Sequence, residues 1–237
     1  MFLCIFFSFS DNPGLVEYGI CIQRFMTTVW NKTLQQVRVT TAGAQPEATS
    51  VAVTIISAVY ACSLLEMTMV LAAERLKTKP RESLQLEFIR RQIILIRERS
   101  DALAILADED IRLFHDLLRS GLLKKRGRQP AALKEIGISR SIRVPLKAME
   151  HIAQLVLLLP AGLPVCPPKL RSDLPAAANL LEAAIKNLVL TVKANTSDLD
   201  INKRTNISRA VTLLLSEVMM TTGQINNQVS AINGDET

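Results

Sequence analysis

Apolar residues recur along this chain with helical spacing, and no stretch alternates apolar and polar residues as a strand does. The most apolar stretch, residues 50–77, has no charged side chain from Val51 to Leu65, which predicts a central helix buried on all sides. An amphipathic segment of roughly forty residues follows over 81–121. Gly121 and the basic run after it are expected to end that helix. The pattern predicts an all-α fold.

Four further segments have helical periodicity: 28–41, 130–159, 174–197 and 200–230. A turn or irregularity is expected in the fourth helix near "GISR", 137–140, and "RVP", 143–145. A proline-rich connector precedes the fifth helix, which Ser172 or Asp173 can cap. The expected architecture is a bundle of five to six helices around one long hydrophobic helix.

The two ends of the chain differ from its middle. Residues 1–25 open with "MFLCIFFSF", which lacks the basic residues and the small-residue cleavage site of a signal peptide, and Met26 is a second plausible start. We expect residues 1–25 to be an N-terminal extension outside the fold. Residues 26–230 then form one helical domain, and 231–237 form a polar tail.

Composition narrows the classes of function. Hydrophobic residues make up 49% of the chain but aromatic residues only 4%, a mixture that suits close packing of helices. The net charge is +6, yet the only dense basic run is "KKRGR", 124–128, in a predicted connector. This run is either a solvated connector or a site for an anionic ligand tail. Without interleaved aromatic residues or a recognition motif, no nucleic-acid partner is expected.

Cysteine and histidine usage indicates the compartment. The four cysteines are widely spaced and there are only two histidines, so neither a zinc site nor a disulfide framework is expected. These features favour a reduced cytoplasmic location and no metal. A single membrane anchor over 50–77 is the alternative to a core helix there. Glu66 interrupts that stretch, and we expect a core helix and no membrane partner.

Asp110 is the first candidate for chemistry. At about 100° per residue it lies in the middle of the apolar stripe of the third helix, with Asp108 and His115 on the opposite side. A carboxylate on an apolar stripe is costly unless it is paired, hydrogen-bonded or protonated. Either Asp110 satisfies a helix end or an arginine such as Arg99, or it lies in a pocket where desolvation raises its pKa towards the range useful for proton transfer.

A second candidate is the repeat of polar residues in "NLVLTVKAN", where Asn187, Thr191 and Asn195 are four residues apart. On the wheel this polar ladder lies opposite the charged face that carries Glu182 and Lys186, and we expect it to face into the protein. It either forms interhelical hydrogen bonds that fix the register, or lines a cleft in which it orients a heterocycle.

Three segments carry a family resemblance. "DEDIRLF", 108–114, resembles an Asp-x-x-Ala-Phe signature, with Leu113 in place of Ala. "SRSIRVPLKAMEHIAQL", 139–155, resembles a helix that begins with Val-Pro-Leu, and "RSDLPAAANLLEAAIKNLVLTVKAN", 171–195, resembles a Ser-Asp-x-x-x-Ala helix ending in Asn-Val-x-x-Asn. The entry segment "MTTVWNKTLQQV", 26–37, fits as a fourth in the same order. Together, over roughly 28–220, the four segments resemble the formiminotransferase-cyclodeaminase and methenyltetrahydrofolate cyclohydrolase family.

The resemblance implies an all-α fold, usually dimeric, that binds a folate between helices or subunits. It implies acid–base closure or opening of the five-membered methenyl ring, with loss of ammonia or addition of water. Asp110 occupies the family's acidic position and is assigned the proton-transfer role. No cofactor is implied, and a folate derivative would be a substrate. The expected substrate-binding residues are Asn187, Thr191, Asn195, Ser50 and Asp173.

The chain departs from the family in the loop before the second helix. The family has Pro-Gly-Gly-Gly-Ser there, whereas this chain has "PEATS", 46–50. Glycines let a ligand approach the backbone, and a helix N-terminus attracts anions, so a pterin with a polyglutamate tail should bind less well.

Three hypotheses of function remain open. The chain is a folate cyclodeaminase or cyclohydrolase, a related enzyme for another metabolite such as a cationic or imine-bearing one, or a non-catalytic helical dimer. The sequence favours an enzyme of this type that acts on a small molecule. A homodimer is expected because the second and fifth helices lack the aromatic bulk to cover their apolar surface within one subunit.

Overall fold

A computed structural model describes residues 28–43, 48–77, 83–125, 131–197 and 199–234. The described residues form six α-helices and contain no strand, which confirms the all-α prediction. Short 3₁₀ turns lie at Val29–Asn31, Leu163–Val165 and Pro168–Leu170. The helices are α1 (Leu34–Ala42), α2 (Ser50–Lys77), α3 (Ser83–Lys125), α4 (Ala131–Gly162), α5 (Asp173–Asn195) and α6 (Ile201–Gly234).

Helices α2 to α5 form a closed four-helix arrangement. Helix α2 packs against α3 and α5, α4 packs against the same two helices, and α6 lies outside against α4 and α5. Neighbouring helices run antiparallel, as three contacts between opposite ends show: Thr49 with Asp110, Ser141 with Asn195, and Asn179 with Asn226. This topology brings the start of α2 and the end of α5 to the same end of the bundle.

Aliphatic side chains and methionine make the core, as the low aromatic content requires. Burying each such side chain contributes about 1.5–3 kcal/mol, so packing rather than local propensity holds these long helices together. The largest fully buried side chains are Ile55, Leu65, Met69, Ile89, Ile96, Leu103, Met149, Ile152, Leu155, Leu159, Leu174 and Leu181.

Helix α2 has the predicted bounds, but the prediction that it is buried on all sides is wrong for the single subunit. Val53, Tyr60, Met67 and Leu71 on one of its faces are exposed, Tyr60 by 50%. A helix in a four-helix ring buries only the faces that meet its neighbours and the ring centre, so its outward face is left uncovered.

Two helix ends and one predicted irregularity differ from the sequence prediction. Helix α3 continues through Gly121 to Lys125, and α6 continues to Gly234. Helix α4 is uninterrupted at the predicted irregularity, although Pro145 removes one backbone donor. The fully buried Val144 and Ala148 on either side show that core packing holds this turn in place. The expectations for residues 1–25 and most of the basic run at 124–128 lie outside the described residues.

Two helical stretches are long and apolar enough to cross a membrane by length and composition alone. They are Ser50–Lys77 and Ser141–Val165. Within their most apolar windows, 44% and 50% of the residues are buried inside the bundle. Because a bundle core selects the same composition, two such helices are weak evidence for a membrane span.

Candidate functional site

The site is built on the N-terminus of α2, where Thr49 acts as the cap. Its Oγ1 accepts hydrogen bonds from the backbone N–H groups of Val51 at 3.1 Å and Ala52 at 3.2 Å. These amides have no partner within the helix, so a threonine side chain at this position stabilises the first turn.

Asp110 of α3 meets this helix end. The Thr49 hydroxyl donates a hydrogen bond to Asp110 Oδ2, and the Ala52 N–H donates to the same oxygen at 3.2 Å. Asp110 is only 5% exposed, as its place on the apolar stripe predicts. Among the described residues, no donor reaches its other oxygen, Oδ1. Thr49 and the Ala52 N–H thus anchor the carboxyl group through Oδ2.

Of the two partners that the sequence suggests for Asp110, the structure contains the helix end and not the arginine. Arg99 Nη1 lies instead 3.5 Å from His151 Nδ1. Sequence reasoning missed Thr49, although a threonine just before a long apolar helix is a typical capping residue. The capping signal was present in the sequence. The contact between Thr49 and Asp110 could not be predicted from it, because these residues are sixty-one positions apart in the chain.

Burial raises the pKa of Asp110 above its usual value because it removes water from the charged form. Hydrogen bonds from Thr49 and from the Ala52 N–H oppose this rise because they stabilise the carboxylate, whereas the neighbouring Glu109 charge adds to it. The net result is a carboxyl group that keeps its proton to higher pH than an ordinary aspartic acid, a property that suits proton transfer.

Two further contacts join α4 and α5 to this end of the bundle. Arg143 of α4 forms an ion pair with Glu109, the residue beside Asp110. The Asn195 side-chain N–H donates to the Ser141 carbonyl oxygen at 2.9 Å, which ties the end of α5 to α4. Asn195 is thus an interhelical hydrogen-bonding residue at the same end of the bundle as Asp110.

The prediction that the whole polar ladder faces into the protein is wrong. Asn187 is exposed, and half-buried Thr191 donates only to the Asn187 carbonyl oxygen of its own helix, at 3.4 Å. The helical wheel gave the angles between residues but not which arc is buried. The core of α5 is a separate arc: Leu174, Ala177, Ala178, Leu181, Ala184, Ile185, Leu188, Val189 and Val192.

The other two predicted binding residues lie at opposite ends of the molecule. Ser50 is exposed next to Thr49. Asp173 and Asn195 begin and end α5, a helix of 23 residues, so they are about 33 Å apart at about 1.5 Å per residue. Within one subunit the structure therefore brings Asp110, Ser50 and Asn195 to one end, and it leaves Asp173 far away.

Asp108 has a structural role that its place on the wheel did not reveal. It accepts hydrogen bonds from the Thr28 hydroxyl and, at 2.8 Å, from the Val29 N–H. Trp30 in the same segment donates through Nε1 to the Ala104 carbonyl oxygen at 3.1 Å. The outer face of α3 thus anchors the segment before α1, and Asp108 is a structural residue of this anchor.

In the described part of the chain, no group of three or more His, Cys, Asp and Glu side chains is placed to hold a metal ion. The site itself consists of the buried Asp110 carboxyl group with its hydroxyl and amide partners.

Comparisons with known proteins identify the family and agree with the all-α fold. The sequence model of a family described as formiminotransferase-cyclodeaminase matches residues 33–211, more than half of the chain. No curated protein sequence matches significantly. The crystal structure of formiminotetrahydrofolate cyclodeaminase from Thermotoga maritima aligns with a TM-score of 0.73 at 18% identity, over 86% of this chain and 98% of that chain, which shows a shared fold. Because the family's sequence model matches most of this chain, the chain belongs to the formiminotransferase-cyclodeaminase family.

Proposed function

We propose that this protein is a cyclodeaminase-like enzyme that closes or opens a ring at a C–N bond by acid–base chemistry. The family and the fold support a function of this general type. The observation that carries the proposal is the buried carboxyl group of Asp110, held through Oδ2 at the start of α2 with Oδ1 left without a donor among the described residues.

Ring closure with loss of ammonia needs a proton relay. One C–N bond forms and another breaks, so the attacking nitrogen loses a proton and the departing nitrogen gains one. A single carboxyl group can pass that proton when its pKa is raised towards neutrality and one of its oxygens is open to the substrate. Two observations support this role for Asp110: burial raises its pKa above the usual value, and Thr49 and the Ala52 N–H fix its orientation through Oδ2.

The identity of residue 49 affects which substrate the site can accept. It stands at the third glycine of the family's Pro-Gly-Gly-Gly-Ser loop, and its side chain contacts the proposed proton carrier. A glycine there would leave Oδ2 open and let a ligand reach the backbone, whereas threonine occupies both positions. We therefore favour a non-folate metabolite or an altered folate one-carbon derivative over the folate substrate of the family. No cofactor, metal or nucleic acid takes part in the proposed reaction.

We also propose a homodimer, because two neighbouring helices expose matching apolar stripes. Each stripe alternates spacings of four and three residues, the pattern of a coiled-coil seam. The α2 stripe is Val53, Ser57, Tyr60, Leu64, Met67 and Leu71, and the α5 stripe is Ala176, Leu180, Ala183, Asn187, Leu190 and Ala194. All are exposed except the half-buried Leu64.

Asn187 takes a different role in this dimer from the one expected for it. It lies in the middle of the α5 stripe, flanked by Leu190, which is 67% exposed. A single asparagine in an apolar seam fixes register and the number of chains at some cost in stability. Asn187 therefore suits pairing between subunits, with an interface of at least about 2,000 Å².

A reducing compartment remains our proposal, with the cytoplasm as the location. Cys62 and Cys166 are buried free thiols. Burial raises the pKa of Cys62 to about 12 and that of Cys166 to about 11, so both stay as unreactive thiols.

Ammonia release tests the proposed reaction. The wild-type protein and Asp110→Asn would be assayed on formiminotetrahydrofolate and on a panel of smaller formimino and amidine compounds. Asp110→Asn keeps the acceptor for Thr49 but cannot carry the proton, so turnover of an active compound should fall by about 10²–10⁴-fold.

Asp116→Asn is the matched control, because Asp116 is an exposed carboxylate on the same helix. It should retain wild-type turnover. Equal turnover by wild type and Asp110→Asn would leave Asp110 as a capping residue, and absence of ammonia release on every compound would favour the non-catalytic helical dimer.

A further inference from the structure

A cavity separate from Asp110 lies between the end of α5 and the first half of α6. Its volume is about 570 Å³, within the range of small-molecule sites. Its apolar floor includes Val192 and Val211, both 1% exposed, and half-buried Ile207. The cavity thus combines a dry base with an opening to solvent.

Three cationic side chains line this cavity: Lys193 from α5, and Arg204 and Arg209 from α6. Among the described residues, none that lines it is acidic, and none of the three cations has a carboxylate within ion-pair distance. Unpaired positive charges around a concave surface create a field that attracts anions.

Most hydroxyl groups that line the cavity are not available to donate a hydrogen bond to a ligand. Thr196, Thr205 and Thr212 each donate their hydroxyl proton to a backbone carbonyl of the same helical segment. Within the described part of the chain, the Ser208 hydroxyl makes no hydrogen bond and is available as a donor. The amides at the start of α6 are also engaged, because Asp200 accepts from the Asn202 and Lys203 N–H groups. The cations and Ser208, rather than the helix end, are therefore the groups that would recognise a ligand.

We infer that this cavity binds a small molecule that joins an oxyanion to an apolar body. The oxyanion, a phosphate or a pair of carboxylates, would lie among Lys193, Arg204, Arg209 and Ser208. Arginine suits either group because its planar guanidinium presents parallel donors. The apolar body would lie against half-buried Ile207 and exposed Leu213, which also line the cavity. This binding does not depend on catalysis at Asp110.

Calorimetric titration of the full chain with four probes tests the inference: phenyl phosphate, phthalate, inorganic phosphate and phenol. Phenyl phosphate or phthalate should bind at least about fivefold more tightly than inorganic phosphate and phenol, since only these two unite charge and apolar surface. The tighter of the two identifies the oxyanion as phosphate or dicarboxylate. Binding no tighter than that of phenol would overturn the inference.

Arg204→Gln and Lys203→Gln form a matched pair of adjacent substitutions, each removing one positive charge from the same turn. Only Arg204 lines the cavity, whereas Lys203 pairs with Asp200. Arg204→Gln should weaken binding of the tighter probe by about five- to tenfold, and Lys203→Gln by less than about twofold. Equal weakening would indicate general charge attraction and contradict the proposed site.

Ser208→Trp provides a second test that leaves every charge in place. The indole should fill the cavity and abolish probe binding, with helicity retained because Ser208 is exposed. Unchanged binding to this variant would place the probe elsewhere and overturn the inference.

Discussion

The Thr49 hydroxyl donates a hydrogen bond to the Asp110 carboxylate, which joins the first turn of α2 to the far part of α3. The same threonine oxygen caps α2 by accepting from the Val51 and Ala52 N–H groups. One side chain therefore stabilises a helix end and orients the carboxyl group to which we assign the chemistry. Structure and proposed function are coupled at this contact.

The first prediction concerns the pH dependence of stability. Because the pKa of Asp110 is higher in the folded protein than in the unfolded chain, folded Asp110 holds a proton that the unfolded chain has already lost. Its contribution to stability is full below about pH 4, the usual value, and is lost as the pH rises through the folded pKa. Asp110→Asn does not titrate, so the unfolding free energy of wild type relative to this variant should fall as the pH rises above about 4.

Thermal or urea unfolding at a series of pH values measures this difference. Asp116→Asn, which changes an exposed carboxylate on the same helix, is measured alongside it as the comparison. A flat profile for Asp110→Asn would mean that Asp110 titrates like an exposed aspartic acid.

A second prediction separates the two roles of Thr49. Thr49→Val removes the hydroxyl while keeping the volume, so the cap is lost and stability should fall by about 1 kcal/mol. The hydrogen bond from Thr49 also lowers the pKa of Asp110, so its loss should move the Asp110-dependent limb of the pH–activity profile to higher pH. Thr49→Ser keeps the hydroxyl and should restore both properties. A shift in stability without a shift in the profile would restrict Thr49 to capping.

A third prediction concerns the anchor at Asp108. Asp108 accepts from Thr28 and from the Val29 N–H, and an amide in its place can face only one of these donors with an acceptor. Asp108→Asn should therefore loosen the segment around Trp30, which is the only tryptophan of the chain. Its fluorescence should move to longer wavelength as water reaches the indole. Asp116→Asn should leave the spectrum unchanged. An unchanged spectrum for Asp108→Asn would show that the hydrogen bond from Trp30 to the Ala104 carbonyl oxygen is sufficient to hold this segment in place.

A fourth prediction tests the seam between subunits. Leu190→Glu puts a charge into the middle of the α5 stripe, so dimerisation should weaken by at least about tenfold in sedimentation at micromolar concentration. Leu84→Glu is the control, because Leu84 is even more exposed, at 81%, but lies outside both stripes. A wild-type monomer, or equal dissociation by both variants, would contradict the proposed interface.

The sequence by itself determined the helices, because their apolar periodicity is long and a core of aliphatic side chains requires it. The bounds of α2 were predicted to the residue, and Asp110 was correctly placed on a buried stripe. The sequence also predicted the family, from motifs that occur in the family's order along the chain. Each of these properties depends on neighbours within a few turns of the same helix.

Only the tertiary structure decided which residues of different helices contact one another. The sequence did not reveal that Thr49 would contact Asp110, that Asp108 would hold the Val29 segment, or that Asn187 would face outwards while Asn195 bonds to Ser141. A helical wheel gives angles on one helix, but the buried arc is set by where the neighbouring helices pack. The closed arrangement of α2 to α5 therefore decides which arc of each helix is buried. It also leaves uncovered an apolar stripe on α2 that periodicity alone assigned to the core.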